Sequence, residues 1–324
     1  MATYAGVDLG ATYVRAIVGD ETGETLGSHK QQTPQGPTGI AVTEAVLETL
    51  RHACEAAGIE PTDLESVGIG SIGPLNLTDG AVETPSNLPD TIDRIPLVGP
   101  ISNLVDSEEV YLHNDTIAGV IGERFYSERN PDSMVYLTIS TGIGAGVCVD
   151  GHVLSGWDGN AGEVGHITLD PDRVMECGCG KRGHWEAYCS GNNIPRYAKV
   201  LYEEGDWETE MALADEDFSA VDLYDHAGED EFADYVIERL NRWNTQGVAN
   251  VIHSFAPLVI YVGGGVAINN EELVLDPIRE RLDDHVFINM PDIKLTNLGD
   301  DVGLKGALAS ALTQGTGDRE KLRH

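Results

Sequence analysis

Four residues able to hold a metal stand close together in an otherwise acidic chain. Cys177, Cys179 and His184 lie in ECGCGKRGHWEAYCSG (176–191), and His166 precedes them in AGEVGHITLD. A C-x-C pair with two imidazoles supplies a complete tetrahedral set for zinc, and a set with no vacancy is structural rather than catalytic. Glu163 and Glu186 flank these ligands. With His166 they form a polar trio suited to holding a polyol through paired hydrogen bonds, although loop glutamates are often merely solvated. Cys189 reads as a small buried residue, and Cys54 and Cys148 fall in apolar patterns that read as core.

Three glycine-bearing stretches could meet phosphate. In DLGATYVR (8–15), Gly10 permits a tight turn, its amides and the Thr12 hydroxyl could reach phosphate oxygens, and Asp8 could hold magnesium through water. STGIGAG (140–146) is a matching loop in which Thr141, Gly142 and Gly144 could wrap the other side of a nucleotide. VGGGV (262–266) sets Gly263, Gly264 and Gly265 at the end of an apolar strand, where a flat ligand could lie against backbone. No Gly-Lys-Ser/Thr follows, so it is not a Walker loop. Each alone fits a plain hairpin better; three in one chain do not. In HND (113–115), Asp115 could take a proton from a substrate hydroxyl that Asn114 fixes. Without context, an Asp capping the next helix is the better reading.

The elements that must position these groups alternate in type. TYAGVDLG, TYVRAIVGD and TLGSHKQQT read as three strands, and apolar spacing over 38–57 predicts a helix stopped by Gly58. LESVGIGS and VYLHND are further strands, the second leading into a helix near Thr116. MVYLTISTGIGAGVCVDGHVLSG repeats the opening strand–turn–strand plan about 130 residues later, which points to two related halves. The acidic stretch 203–233 reads as a solvated excursion, FADYVIERLNRWNTQGVANVIHSF as a long amphipathic helix, and GLKGALASAL as a small-residue helix. Strands alternating with helices over 324 residues give an α/β chain of two domains.

The composition excludes several classes. The chain carries 54 acidic and 20 basic residues, a net charge of −34, and such a surface repels nucleic acid and anionic membrane. No stretch approaches the ~20 apolar residues of a membrane span, the start has no signal-peptide pattern, and five cysteines make no disulfide framework. The expectation is a cytoplasmic protein of a halophile.

Taken in order, these motifs resemble the ROK family (repressor, open reading frame, kinase) of sugar kinases, within the actin-like ATPase superfamily. The likeness spans nearly the whole chain, and GNAGEVGHITLD with CGCGKRGHWEAYCSG carries it most specifically. It implies two actin-like (ribonuclease H-like) α/β domains with an interdomain cleft for ATP and sugar. The smaller would hold 1–115 completed by 303–324, the larger 116–302. By the resemblance Asp115 is the catalytic base, while Asn114, Glu163, His166 and Glu186 contact the sugar. PSNLP (85–89) resembles a further sugar loop and adds Asn87. Thr12, Thr141 and the loop glycines would surround ATP and its magnesium. His166, Cys177, Cys179 and His184 would hold structural zinc, with His184 standing where many members have a third cysteine. The implied reaction is phosphorylation of a hexose at its 6-hydroxyl. Glucose is the first candidate, N-acetylglucosamine or N-acetylmannosamine the next, and a sugar-sensing binding protein the non-enzyme alternative. The resemblance suggests a halophilic archaeon's glucokinase-like enzyme, assembled as a homodimer or homotetramer. Repressor members carry a helix-turn-helix before the first phosphate loop; only seven residues precede Asp8, so that reading is not expected.

The charge alone generates a prediction. Screening length grows from ~3 Å at 1 M salt to ~10 Å at 0.1 M, so carboxylate repulsion should destabilise the chain as salt falls. Thermal unfolding against potassium chloride should show a midpoint that climbs from 0.1 M upward (about the range in which screening changes most). A flat midpoint would remove the halophilic reading.

Overall fold

The computed structural model describes residues 2–85 and 87–323. Strands β1 (Thr3–Leu9), β2 (Tyr13–Asp20) and β3 (Thr25–Gln32) form an antiparallel meander and lead into helix α1 (Gly39–Ala57). Gly58 ends that helix at φ 73°, a left-handed cap that glycine adopts without a Cβ penalty. Then come β4 (Leu64–Ser71), β5 (Leu75–Asn76), β6 (Ala81–Glu83), β7 (Arg94–Pro96), α2 (Val98–Val105), β8 (Val110–Asn114) and α3 (Asp115–Tyr126). The middle of the chain gives β9 (Met134–Ile139), β10 (Ile143–Val149), β11 (His152–Val153), α4 (Glu186–Cys189), α5 (Ile194–Glu203), α6 (Ala220–Asp225) and α7 (Glu231–Phe255). It ends with β12 (Val259–Gly263), α8 (Gly265–Asn269), α9 (Glu271–Arg281), β13 (Asp292–Leu295) and α10 (Val302–Thr313).

The two large sheets are built to one plan. One has the order β3-β2-β1-β4-β8, the other β11-β10-β9-β12-β13, and β5-β6-β7 form a small third sheet. In the first, β2 and β3 run antiparallel while β4 and β8 join β1 in parallel, so the sheet is mixed. The matching orders give the repeated strand–turn–strand motif its structural counterpart.

The chain divides into two compact units. One comprises the residues up to Tyr136, Gly146–Gly162 and the segment from Asp300 onward; the other is Leu137–Ala145 with Glu163–Gly299. The sequence reading puts the boundary after 115, whereas α3 stays with the first unit. The cause is close backbone packing against α10. A Cβ at Gly306 would lie 1.8 Å from the carbonyl oxygen of Ala118, and one at Gly68 would lie 1.9 Å from that of Ala307. Only hydrogen fits there, which explains the small-residue sequence of α10. The apolar core of this unit gathers Val7, Leu9, Val14, Val46, Leu50, Ile69 and Ile95 between the sheet and α1.

The acidic stretch 203–233 is less solvated than its composition suggests. Met211, Leu213, Phe218, Leu223, Tyr224 and Phe232 are buried, and the Trp207 ring lies 4.5 Å from that of Tyr235. Carboxylates coat an apolar interior. Among the described residues no helix is long and apolar enough to cross a membrane.

His113 joins β8 to α10, with Nε2 2.8 Å from Ser310 Oγ. Burial lowers its pKa to about 4 from the ordinary 6.5. The unfolded chain therefore binds a proton between those values that the folded chain refuses, so stability falls as pH drops from 6.5 towards 4. The shift sets an upper bound of about 3 kcal/mol on this contribution. His113→Gln should lose less of its unfolding midpoint across that window than the parent. Parallel loss in both proteins would contradict the assignment.

Candidate functional site

In the first unit, the catalytic candidates gather at the carboxyl ends of three parallel strands. Leu9, Ser71 and Asn114 are register partners across β1, β4 and β8, as are Asp8, Gly70 and His113 one step earlier. At ~4.8 Å between strands, the end of β1 and that of β8 are about 10 Å apart. Ligands of open α/β sheets bind at such an edge. Asn114, rather than Asp115, caps α3: its Oδ1 accepts from Ile117 N–H at 2.7 Å and from the Thr116 hydroxyl at 3.1 Å. Its amide nitrogen is then the group left for a substrate. Asp115 follows at the first helical position with an exposed side chain, and Oδ1 accepts from Thr116 N–H at 2.8 Å. Asn87 is exposed in its turn.

The turn from β1 to β2 spans Gly10 to Thr12 and is closed by Gly10 N–H donating to the Tyr13 carbonyl at 3.0 Å. Gly10 makes this tight turn without taking the left-handed conformation; a Cβ there would meet the Tyr13 oxygen at 3.3 Å. Thr12 is exposed. Asp8 is held by Arg15, whose Nη2 lies 2.7 Å from Oδ2. Burial raises the Asp8 pKa, opposed by the Arg15 guanidinium.

In the second unit, the ligand atoms of His166, Cys177, Cys179 and His184 all lie within 4.8 Å of one another. His166 Nδ1 is 3.6 Å from Cys177 Sγ, and His184 Nδ1 is 3.4 Å from Cys179 Sγ. Zinc bonds of ~2.3 Å to sulfur and ~2.0 Å to nitrogen set tetrahedral neighbours about 3.5 Å apart, so the donor set fits that ion. Burial, then His166, lowers the His184 pKa, favouring the neutral imidazole that a metal needs. Burial pushes the Cys177 thiol up to about 12. A tight turn shapes the C-x-C loop, with Cys177 N–H donating to Lys181 O at 2.8 Å and Gly180 N–H to Cys177 O at 2.9 Å.

The sugar candidates border this cluster. His166 turns Nε2 towards Glu163 Oε2 at 3.7 Å, so its two nitrogens face different partners. Burial raises the Glu163 pKa, moderated by His166. Glu186 Oε2 accepts from Ile143 N–H at 2.9 Å, and Oε1 from the Cys177 thiol at 3.4 Å. Between His184 and Glu186, the wholly buried Trp185 donates through Nε1 to Asn244 of α7 at 2.9 Å. This residue anchors both neighbours, and sequence reading passed over it.

The other glycine loops meet at Ser140, also missed. Its carbonyl accepts from Gly191 N–H at 2.7 Å and its hydroxyl from Gly265 N–H at 3.4 Å. A Cβ at Gly142 would lie 2.8 Å from Glu186 Oε2, so a side chain there would displace that carboxylate. Gly264 is required twice over, with φ 89° and a Cβ position 2.5 Å from Ile139 O. Gly263 is buried at the end of β12, Gly144 half-buried in β10, and Thr141 and Gly265 exposed.

The chain is similar to known proteins over nearly its whole length. The model of the ROK family matches residues 4–314. A glucokinase of Pyrobaculum calidifontis is 36% identical over 312 residues, covering 96% of this chain and 95% of the relative. The crystal structure of a ROK hexokinase from Thermus thermophilus superposes with TM-score 0.80 at 30% identity, covering 96% of this chain and 98% of that one. That of a ROK family glucokinase from Streptomyces griseus, in complex with glucose and AMPPNP, gives 0.72 at 31% identity, covering 95% and 98%.

Proposed function

The chain belongs to the ROK family, and from that premise we propose that it transfers the γ-phosphoryl group of ATP to the 6-hydroxyl of glucose. Asp115 takes the hydroxyl proton as the sugar oxygen attacks phosphorus, and the bond to the β-phosphate oxygen breaks to release ADP. Asn114 offers its amide nitrogen to the same hydroxyl, because its oxygen is committed to the helix cap. Glu163, His166 and Glu186 hold the remaining hydroxyls, with Asn87 as a further contact. Amides of the turns at Gly10–Thr12 and Thr141–Gly144, with Gly263, Gly264 and Gly265, receive the nucleotide. Magnesium, met by Asp8 through water, would offset phosphate charge.

The cluster of two cysteines and two histidines would hold a structural zinc ion. What supports the sugar reading most is that Glu186 and His166 border this cluster directly, one through Cys177 and the other as a donor within it. The acidic balance supports a setting of high salt. N-acetylated hexosamines share the hydroxyls that these side chains would bind, so the acceptor is tested rather than assumed.

A coupled assay of the purified protein with ATP and a panel of hexoses should give turnover highest on glucose. Asp115→Asn should lower kcat by about 10³-fold while the glucose dissociation constant stays within a few-fold. Near-normal turnover in that variant would remove Asp115 from its role.

A further inference from the structure

Arg15 stands directly opposite Asp8 in the antiparallel register of β1 and β2. Both of its bonds to that carboxylate go to one oxygen, from Nε at 2.9 Å and Nη2 at 2.7 Å to Oδ2. A bidentate arginine–carboxylate pair usually engages both oxygens. Here the rest of the guanidinium is tied to the start of α10, with Nη2 2.9 Å from the Asp300 carbonyl and Nη1 3.1 Å from Asp301 Oδ1. A planar group fixed along two edges cannot swing, and it fixes the carboxylate that it grips.

The other oxygen of Asp8 is in a different situation. Among the described residues Oδ1 accepts no hydrogen bond, yet it is not a sealed, unpaired atom, so it opens to water. It borders backbone that carries no side chains: a Cβ at Gly303 would lie 3.1 Å from it and one at Gly70 4.0 Å. On that side no side chain crowds the oxygen.

We propose that Arg15 is a positioning residue, gripping Asp8 through Oδ2 so that Oδ1 alone is presented to the hydrated magnesium ion that accompanies the nucleotide. The inference rests on the reading of Asp8 given above. A hard, hydrated cation held through water by a single carboxylate oxygen is sensitive to where that oxygen points. A lysine at 15 would keep the charge but replace the two-point grip with one rotating ammonium.

The test is a Mn²⁺ titration of the protein–ADP complex, followed by electron paramagnetic resonance, for the parent, Arg15→Lys, Asp8→Asn and the double variant. Arg15→Lys should weaken Mn²⁺ binding about five- to tenfold, Asp8→Asn at least as much, and the double variant no further than Asp8→Asn alone. The glucose dissociation constant should stay within twofold throughout. If Asp8→Asn weakens Mn²⁺ binding but Arg15→Lys does not, the inference about Arg15 fails while Asp8 keeps its role. If Asp8→Asn has no effect, the reading of Asp8 fails and takes the inference with it. If glucose and Mn²⁺ affinities fall together in Arg15→Lys, the residue is a general structural tie and the proposal is wrong. Should Arg15→Lys not fold, Arg15→Gln takes its place under the same thresholds.

Discussion

The carboxylate of Glu186 is held between the N–H of Ile143 and the thiol of Cys177, and it has room there because residue 142 lacks a side chain. This arrangement joins the glycine turn after β9 to the cysteine loop. Trp185 fixes it from behind by filling the space above Gly247, where a Cβ would lie 2.4 Å from the indole. Residues 184 to 186 thus supply in succession a candidate metal donor, an anchor and a sugar candidate. The order of those three residues carries more of the local structure than any one glycine loop does.

The first unit solves a different problem. Its catalytic candidate lies at the start of α3, and α3 is held by contact of bare backbone with α10 at Gly306 and Gly122. Side chains at such places would push the helix away from the sheet and shift Asp115 with it. The Arg15 network ties the start of α10 to the first turn through Asp300 and Asp301. One C-terminal helix therefore sets the places of both Asp115 and Asp8.

Much of this was legible in the sequence. The strand–turn–strand repeat is seen in the matching sheet orders, and Gly58 ends α1 as its position indicated. The four zinc candidates are close together because C-x-C and its histidines lie on one short looped segment, so spacing in sequence survives as spacing in the fold. What escaped depends on residues far apart in the chain. The packing of α10 on α3 moves the unit boundary beyond 115, and no local pattern announces it. The sequence reading gave the cap to Asp115, but the helix begins at Asp115 itself, so the extended residue before it, Asn114, is the N-cap and its oxygen accepts from Ile117 N–H. Gly142 and Gly10 looked alike as phosphate-loop glycines, although one borders the Glu186 carboxylate at 2.8 Å and the other only the Tyr13 carbonyl at 3.3 Å, both measured from a Cβ built there. Buried apolar residues within 203–233 were masked by the density of carboxylates around them.

The sugar candidates stand beside the candidate metal cluster, and the most direct measurement of whether a bound ion fixes them is glucose binding before and after metal removal. Protein never exposed to chelator should contain about one zinc ion per chain by elemental analysis. Stripping it should weaken glucose binding at least tenfold by isothermal titration calorimetry, and restoring zinc should recover the affinity. Unchanged glucose affinity in folded, metal-free protein would contradict the account.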